Sequence, residues 1–350
     1  MNILFATDKL CLNPYPCELS ESINRQRPNW YIRVDFDEFW YSDIKYDIIH
    51  LQWIEELCGW NTPDEKFNDK LLTRINFWKD KGAKIFCTIH NLYPHLFPGE
   101  KSNKLYSAVF EKADFLIHHG EISKTLFNDH YGNINSNNVI HAVIPHGLFT
   151  RFRKGLKRSD ARKYLMLKAK DFAVLAFGRV RSYDENELIL RSFRLLEEKK
   201  KKLIIPNYKF SESLLIRSFQ KLSLLAERNV FAESWFVPED KVPLYFISSD
   251  MVLIPRLQIL NSGNLILGFF YEKVVVGPDI GVVGEILRKT GNPVFTPGDD
   301  ISLSEAVNKG KKLSLEGKGI DNYNYAKENW SWDIVSCQHI RYYEMAIKEN

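Results

Sequence analysis

Two short stretches carry residue types suited to holding a phosphate. The first, Phe177-Gly178-Arg179-Val180-Arg181-Ser182-Tyr183, follows an apolar run and precedes an acidic helix start. A glycine at a strand end lets the backbone turn, and Arg179 and Arg181 offer guanidinium forks that match phosphate oxygens. The second, Asn261-Ser262-Gly263-Asn264, opens an apolar stretch of helical length after the run Met251–Ile254, Pro255 and Arg256. Asn or Ser would cap that helix, and Gly263 would let a ligand approach the backbone. Amides at a helix start and the positive end of its dipole suit a diphosphate. Each stretch also reads as ordinary surface structure, a turn with solvated arginines or a plain helix cap.

Other groupings look like metal sites and are weaker. Asp35-Phe36-Asp37 has metal-binding spacing, but it follows a strand and reads as a solvated loop. His118-His119, His90 with His95, and His141 with His146 lack a third ligand, so no metal is expected. Trp53, Trp60 and Tyr93 are suited to stacking on sugar rings, or equally to a core.

Apolar runs would position these residues. Ile3–Ala6, Tyr31–Val34, Ile48–Leu51, Ile85–Ile89, Phe115–Ile117 and Val139–Ile144 form one strand series. Phe172–Phe177, Lys202–Ile205, Val230–Ala232, Met251–Ile254, Val274–Val276 and Pro293–Phe295 form a second. Runs apolar on both faces, separated by helix-length segments such as Glu187–Glu198, Glu212–Ala226 and Asn264–Tyr271, predict parallel sheets covered by helices. The chain therefore reads as α/β with two Rossmann-like domains and a cleft between them. The expected boundaries are an N-terminal domain over 1–148, a connector over 149–170, a C-terminal domain over 171–328, and a final segment over 329–350 that returns to the first domain.

The bulk numbers agree with a globular chain. Its 350 residues suit two domains, and 45% hydrophobic with 26% charged residues allows a core in each. A net charge of +4 is too small to mark a nucleic-acid binder. Basic residues cluster at Arg151, Arg153, Lys154, Lys157 and Arg158 and again over 199–202, as solvated surface or as attraction to anionic headgroups. Cys11, Cys17, Cys58, Cys87 and Cys337 form no CxxC pair, which predicts reduced thiols and a cytoplasmic setting. The first residues read directly as a strand, and no run reaches the roughly 18 apolar residues of a membrane span.

In order and spacing, the two phosphate-suited stretches resemble the donor-binding half of GT-B glycosyltransferases of the family 4 type. Ser249–Pro255 is similar to that family's strand entering the sugar-nucleotide site, Asn261–Asn264 to its phosphate-binding helix start, and Val274–Gly281 with Glu285 to its next strand and turn. His50-Leu51-Gln52-Trp53, Thr88–His95 and Ile144-Pro145-His146-Gly147 resemble stretches of bacterial polysaccharide transferases, including a β-1,4-mannosyltransferase-like branch. The resemblance implies transfer of a hexosyl group from a GDP- or UDP-linked sugar to a saccharide or lipid-linked saccharide, in capsule, cell-surface polysaccharide or glycolipid assembly, with peripheral membrane contact and no nucleic acid. It implies donor contacts from Gly178, Arg179, Arg181, Pro255, Arg256, Ser262, Gly263, Asn264 and His146, and acceptor contacts from Trp53 and Asn91. His90, or next Asp8, would serve an inverting enzyme as base, and the design needs no metal or other cofactor. The chain departs from the pattern. Leu267 stands where the second of two glutamates falls, the first is absent as well, and Asp184-Glu185-Asn186 stands where a lysine is common. An acidic run there would repel a diphosphate unless it faces away. A GT-B protein without transferase activity, in a binding or scaffold role, and a sugar-nucleotide epimerase remain the alternatives.

Overall fold

The structure is a computed structural model describing residues 1–9, 13–93, 100–132, 139–152, 155–226, 229–234 and 236–348. The chain divides into two compact units, one of Met1–Gly147 with Asn329–Asn350, the other of Leu148–Glu328.

The first unit is built on β1 (Asn2–Ala6), β2 (Tyr31–Val34), β3 (Ile48–Leu51), β4 (Lys84–Thr88), β5 (Phe115–His118) and β6 (Ile140–Val143). Their order is β2-β1-β3-β4-β5-β6, and every pairing is parallel. The inner strands are buried on both faces, which is why they read as unbroken apolar runs. Burying one side chain such as Ile48, Ile85 or Phe115 contributes about 1.5–3 kcal/mol.

The final helix, Trp332–Lys348, packs in this unit against the helix Tyr15–Gln26. Ser22 and Ser336 share a hydrogen bond of 2.9 Å, and the Trp332 indole donates to Glu18 at 2.7 Å. The Tyr343 hydroxyl bonds His50 Nδ1 at 2.6 Å, inside the core. Each of these buried polar groups thus has a partner, which removes most of its desolvation cost.

The second unit is built on β7 (Phe172–Leu175), β8 (Lys201–Ile205), β9 (Val230–Ala232), β10 (Met251–Leu253), β11 (Val274–Pro278) and β12 (Val294–Phe295), in the order β12-β11-β10-β7-β8-β9. It too is parallel throughout its strand pairs. Its core gathers Val174, Leu203, Leu253, Val276 and Phe295 with the helix Tyr183–Leu195. That helix starts earlier than expected because Ser182 caps it. It also ends earlier, and Lys201 Nζ takes the carbonyls of Phe193, Arg194 and Leu196.

Residues 149–170 fall within this second unit instead of standing apart as a connector. They include the helix Arg158–Tyr164, whose Arg158 and Arg162 bond Asp250 and the carbonyls of Ser249 and Ser248. Cys17 is disulfide-bonded, against the expectation of reduced thiols, while Cys58, Cys87 and Cys337 are free. Among the described residues no helix is long and apolar enough to cross a membrane.

A Cβ added at Gly147 would lie 2.4 Å from the Trp332 ring, and the Glu18 hydrogen bond pins that ring. Gly147→Ala is therefore expected to cost about 1–3 kcal/mol by overpacking. Urea unfolding followed by tryptophan fluorescence checks this, because every tryptophan except Trp235 lies in the first unit. An unshifted midpoint would contradict it.

Candidate functional site

In the second unit the chain runs from β7 outward to β9, then returns to β10 on the other side of β7. The sheet's switch point therefore lies between β7 and β10, where open α/β sheets leave a crevice beyond the carboxyl strand ends. Both phosphate-suited stretches leave those two strand ends, and direct bonds tie them together. Asn264 Nδ2 donates to the Phe177 carbonyl at 2.6 Å. β7 stops short of Phe177, whose carbonyl serves this contact. Gly178 has φ +88°, and a Cβ there would sit 3.0 Å from Asn264 Nδ2. A side chain at this position would meet both backbone strain and crowding.

The helix Gly263–Phe270 begins at this junction. Ser262 occupies the N-cap position, but its hydroxyl makes no capping hydrogen bond, contrary to the expected cap. The first-turn amides of an α-helix have no acceptor within the helix, and here the cap side chain supplies none. Gly263 has the Phe149 ring 3.4 Å from where a Cβ would be. A negative group placed at this start would meet backbone N–H groups and the helix dipole.

A buried ion pair braces the same place. Arg256 is 6% and Glu185 5% exposed, and their side chains are 2.5 Å apart. Arg256 Nη2 also donates to the Arg179 carbonyl at 2.8 Å, while Glu185 accepts from the Arg181 amide at 2.6 Å. Pro255 is buried beside it. Burial draws the Arg256 pKa down, and the Glu185 carboxylate opposes that shift. Two expectations change. Glu185 neither faces away nor stands as a bare repulsive charge, because Arg256 neutralises it. Arg256 in turn is committed to Glu185 and Arg179, so its charge is not a free clamp. Arg179 and Arg181 remain exposed. The overlooked signal was Ser182-x-x-Glu185, a capping-box spacing. Ser182 does accept from the Glu185 amide, but the carboxylate reaches back to Arg181.

In the first unit His90 and His146 gather around Tyr15. His90 stacks on Trp53 at 4.2 Å between ring centroids, and its Nε2 meets Gln52 Oε1 at 3.0 Å. Tyr15 contacts the rings of His90, His119, His146 and Trp332. Asn91 lines a small recess with Gln52, Trp53 and His90. Asp8 lines a different cavity of about 280 Å³, with Asp35, Asp37, Glu56 and Trp60. Its amide donates to Glu56 Oε1 at 2.9 Å. Asp35 caps the helix Phe36–Tyr41 instead of lying in a solvated loop. His118 bonds His141 at 3.0 Å, so His141 is paired away from His146. His95 lies outside the described residues. Among the described residues no cluster of three His, Cys, Asp or Glu could hold a metal. Tyr15 was missed by sequence reasoning because only the fold brings it against His90, His119 and His146, and His119, considered from sequence only as a metal-pair candidate, packs on Tyr15 instead.

These two units, each a parallel six-stranded sheet wound with helices, give the chain the GT-B fold. No protein-family model matches the sequence, and no curated protein matches it. Solved structures do. Sucrose-phosphate synthase from Thermosynechococcus elongatus is 14% identical with a TM-score of 0.71, covering 100% of this chain and 99% of that one. HepE of Anabaena, solved with UDP and glucose, is 15% identical with a TM-score of 0.70, covering 99% and 100%. WaaG, a glycosyltransferase involved in lipopolysaccharide biosynthesis, is 14% identical with a TM-score of 0.62, covering 99% of each chain.

Two expected outcomes follow from this geometry. Arg256→Met strands the buried Glu185 carboxylate and should cost about 3–5 kcal/mol. Adding Glu185→Leu should then restore part of that loss. Urea unfolding followed by circular dichroism reads both, and strictly additive effects would show that the pair is not coupled. The second concerns acid. Burial holds His118 down at about 3, and His119 and His339 at about 4, with His50 also well below its usual value. The unfolded chain takes up these protons near pH 6.5 while the folded one does not. Stability should thus be full above pH 6.5 and fall as pH drops from there toward 4, by up to about 1.4 kcal/mol per pH unit for each histidine. A tryptophan-monitored urea midpoint unchanged between pH 7.5 and 5 would contradict this.

Proposed function

We infer that the chain is a nucleotide-sugar-dependent hexosyltransferase. The second unit would bind the donor diphosphate at the β7/β10 switch point, and the first would bind a saccharide or lipid-linked saccharide acceptor. The observation that carries this reading is the Asn264–Phe177 hydrogen bond, which sets an uncapped helix start beside Gly178 and the exposed Arg179 and Arg181. Amides and guanidinium groups aimed at departing phosphates supply the charge stabilisation that glycosyl transfer needs, and they do so without a metal. The solved structures of HepE with UDP and glucose and of starch synthase IV from Arabidopsis thaliana with ADP and acarbose support a nucleoside diphosphate as the ligand class.

His90 is the favoured base, beyond the end of β4 with its Nε2 held by Gln52, and Asp8 is the second choice. Trp53 and Asn91 would flank the acceptor, and His146 would serve the donor. The setting we infer is the cytosolic face of a membrane, in cell-surface polysaccharide or glycolipid assembly. One observation favours a binding protein without transferase activity. Glu185 pairs with Arg256 beside the site, which lowers the site's net charge.

A thermal-shift screen against UDP, GDP, ADP, CMP and their sugars tests the reading. A bound nucleotide at 100 times its Kd stabilises by about 2.7 kcal/mol and should raise the melting temperature by several degrees. Arg181→Ala should weaken nucleotide binding at least tenfold, the loss of about one charge-assisted hydrogen bond. No shift with any nucleotide, or unchanged affinity in the variant, would overturn the donor site. Binding without turnover of any nucleotide sugar would favour the binding protein.

A further inference from the structure

Beyond the ends of β8 and β9 lies a cavity of about 310 Å³, whose lining includes Asn207, Ser234 and the cations Arg179, Lys209, Arg217 and Lys221. That volume is at the small end of ligand pockets. None of the described residues that line it is acidic. Among the described residues none of these four cations pairs with a carboxylate, whereas cations elsewhere in the unit do. Arg158 pairs with Asp250, Arg191 with Asp300 and Lys311 with Glu198.

The helix Leu214–Ala226 supplies two of the charges from an unusual side. Leu215, Phe219 and Leu222 share one exposed stripe, while Arg217 and Lys221 lie on the opposite side with the buried Leu224. A helix ordinarily turns its apolar stripe inward and its charges outward. Here the inward side carries the charges, and they line the cavity.

Neutral partners fix these cations without cancelling them. Arg217 Nε donates to the Ser211 carbonyl at 3.0 Å, which uses one N–H of a group with several. Lys209 Nζ donates to the Arg181 carbonyl at 2.7 Å, and the Lys221 ammonium lies 5.9 Å from the centre of the Phe210 ring. The walls are held as well. The Asn207 carbonyl accepts from the Val180 amide at 3.3 Å, and the Tyr208 amide donates to the Glu233 carbonyl at 2.6 Å. Asn186 Nδ2 donates to the Lys209 carbonyl at 2.7 Å. Like charges held in place repel one another, and an anion between them removes that cost.

We propose that this cavity binds the phosphate monoester of a small molecule, a ligand separate from the donor diphosphate at the β7/β10 switch point. A monoester carries about −1.5 to −2 charges at pH 7 and three terminal oxygens, which suits several guanidinium and ammonium groups at once. A diester offers one charge and two such oxygens. A long polyanion fits poorly, because the helix turns the Leu215 stripe outward and has no cation besides Arg217 and Lys221. The proposal does not rest on the transfer reading, since it needs neither donor nor acceptor.

Isothermal titration calorimetry of the full chain with glycerol 3-phosphate tests it. Glycerol 3-phosphate should bind, glycerol should not, and the diester dimethyl phosphate should bind at least about tenfold more weakly. Arg217→Gln and Lys221→Gln should each weaken glycerol 3-phosphate binding at least about tenfold, with melting temperature and UDP affinity unchanged. Arg181→Ala, which tests the donor site, should leave glycerol 3-phosphate affinity within about threefold, and so should saturating UDP. The two sites can thus fail separately. No binding of glycerol 3-phosphate, equal binding of dimethyl phosphate, full binding by the Lys221 variant, or displacement by UDP would each overturn the proposal.

Discussion

The second unit's site depends on bonds that join the ends of β7 and β10. These strands are neighbours in the sheet, yet Leu175 and Met251 are far apart in the chain. Asn264 reaches the Phe177 carbonyl and Arg256 reaches the Arg179 carbonyl, so two loops that would otherwise move separately present one surface. Breaking either bond leaves a polar group without a partner, and that cost keeps the loops in register. Preorganisation of this kind is what makes backbone amides effective toward a charged ligand, because no reorganisation is needed when it arrives.

The buried pair shapes the electrostatics as well as the geometry. A lone Arg256 at 6% exposure would lose much of its hydration, and Glu185 offsets that loss. The arrangement spends a cation on architecture and leaves attraction to the exposed Arg179 and Arg181 and to the helix start. Those groups act at the rim, where salt screens them more than it would a buried charge. A diphosphate held there would depend on directional hydrogen bonds more than on net charge.

Strands and their direction were legible because parallel strands buried on both faces read as continuous apolar runs. Ile48–Leu51, buried at every position, has the bounds expected of it, and the edge strands Tyr31–Val34 and Val230–Ala232, only partly buried, do as well. The meaning of Glu185 was not legible. Its sign suggested repulsion, and only the adjacency of β7 and β10 shows that it faces Arg256. Tyr343 with His50, and Trp332 with Glu18, join residues from opposite ends of the chain, and no local pattern announces such pairs. The helix Leu214–Ala226 was expected as a helix, but its amphipathicity gave no hint that the apolar side would face out.

The histidines of the first unit separate into roles by their surroundings. Burial and the neighbouring His119 hold His146 at about 3, and burial holds His119 at about 4. Imidazoles so poised stay neutral at pH 7, and their conjugate acids are too strong for them to take a proton efficiently from a sugar hydroxyl. They are suited to orienting neighbours, as the His119 contact with the Ile144 carbonyl shows. A base of the first unit must then be sought outside this inner pair. His90 is held by Gln52 on one side and stacked on Trp53 on the other, so its ring has a fixed orientation. Asp8 lies in a different cavity, beside Asp35, Asp37 and Glu56. The choice between them turns on which lies within hydrogen-bond reach of the acceptor hydroxyl. Orientation favours His90, since a fixed ring loses little entropy on reaching the transition state.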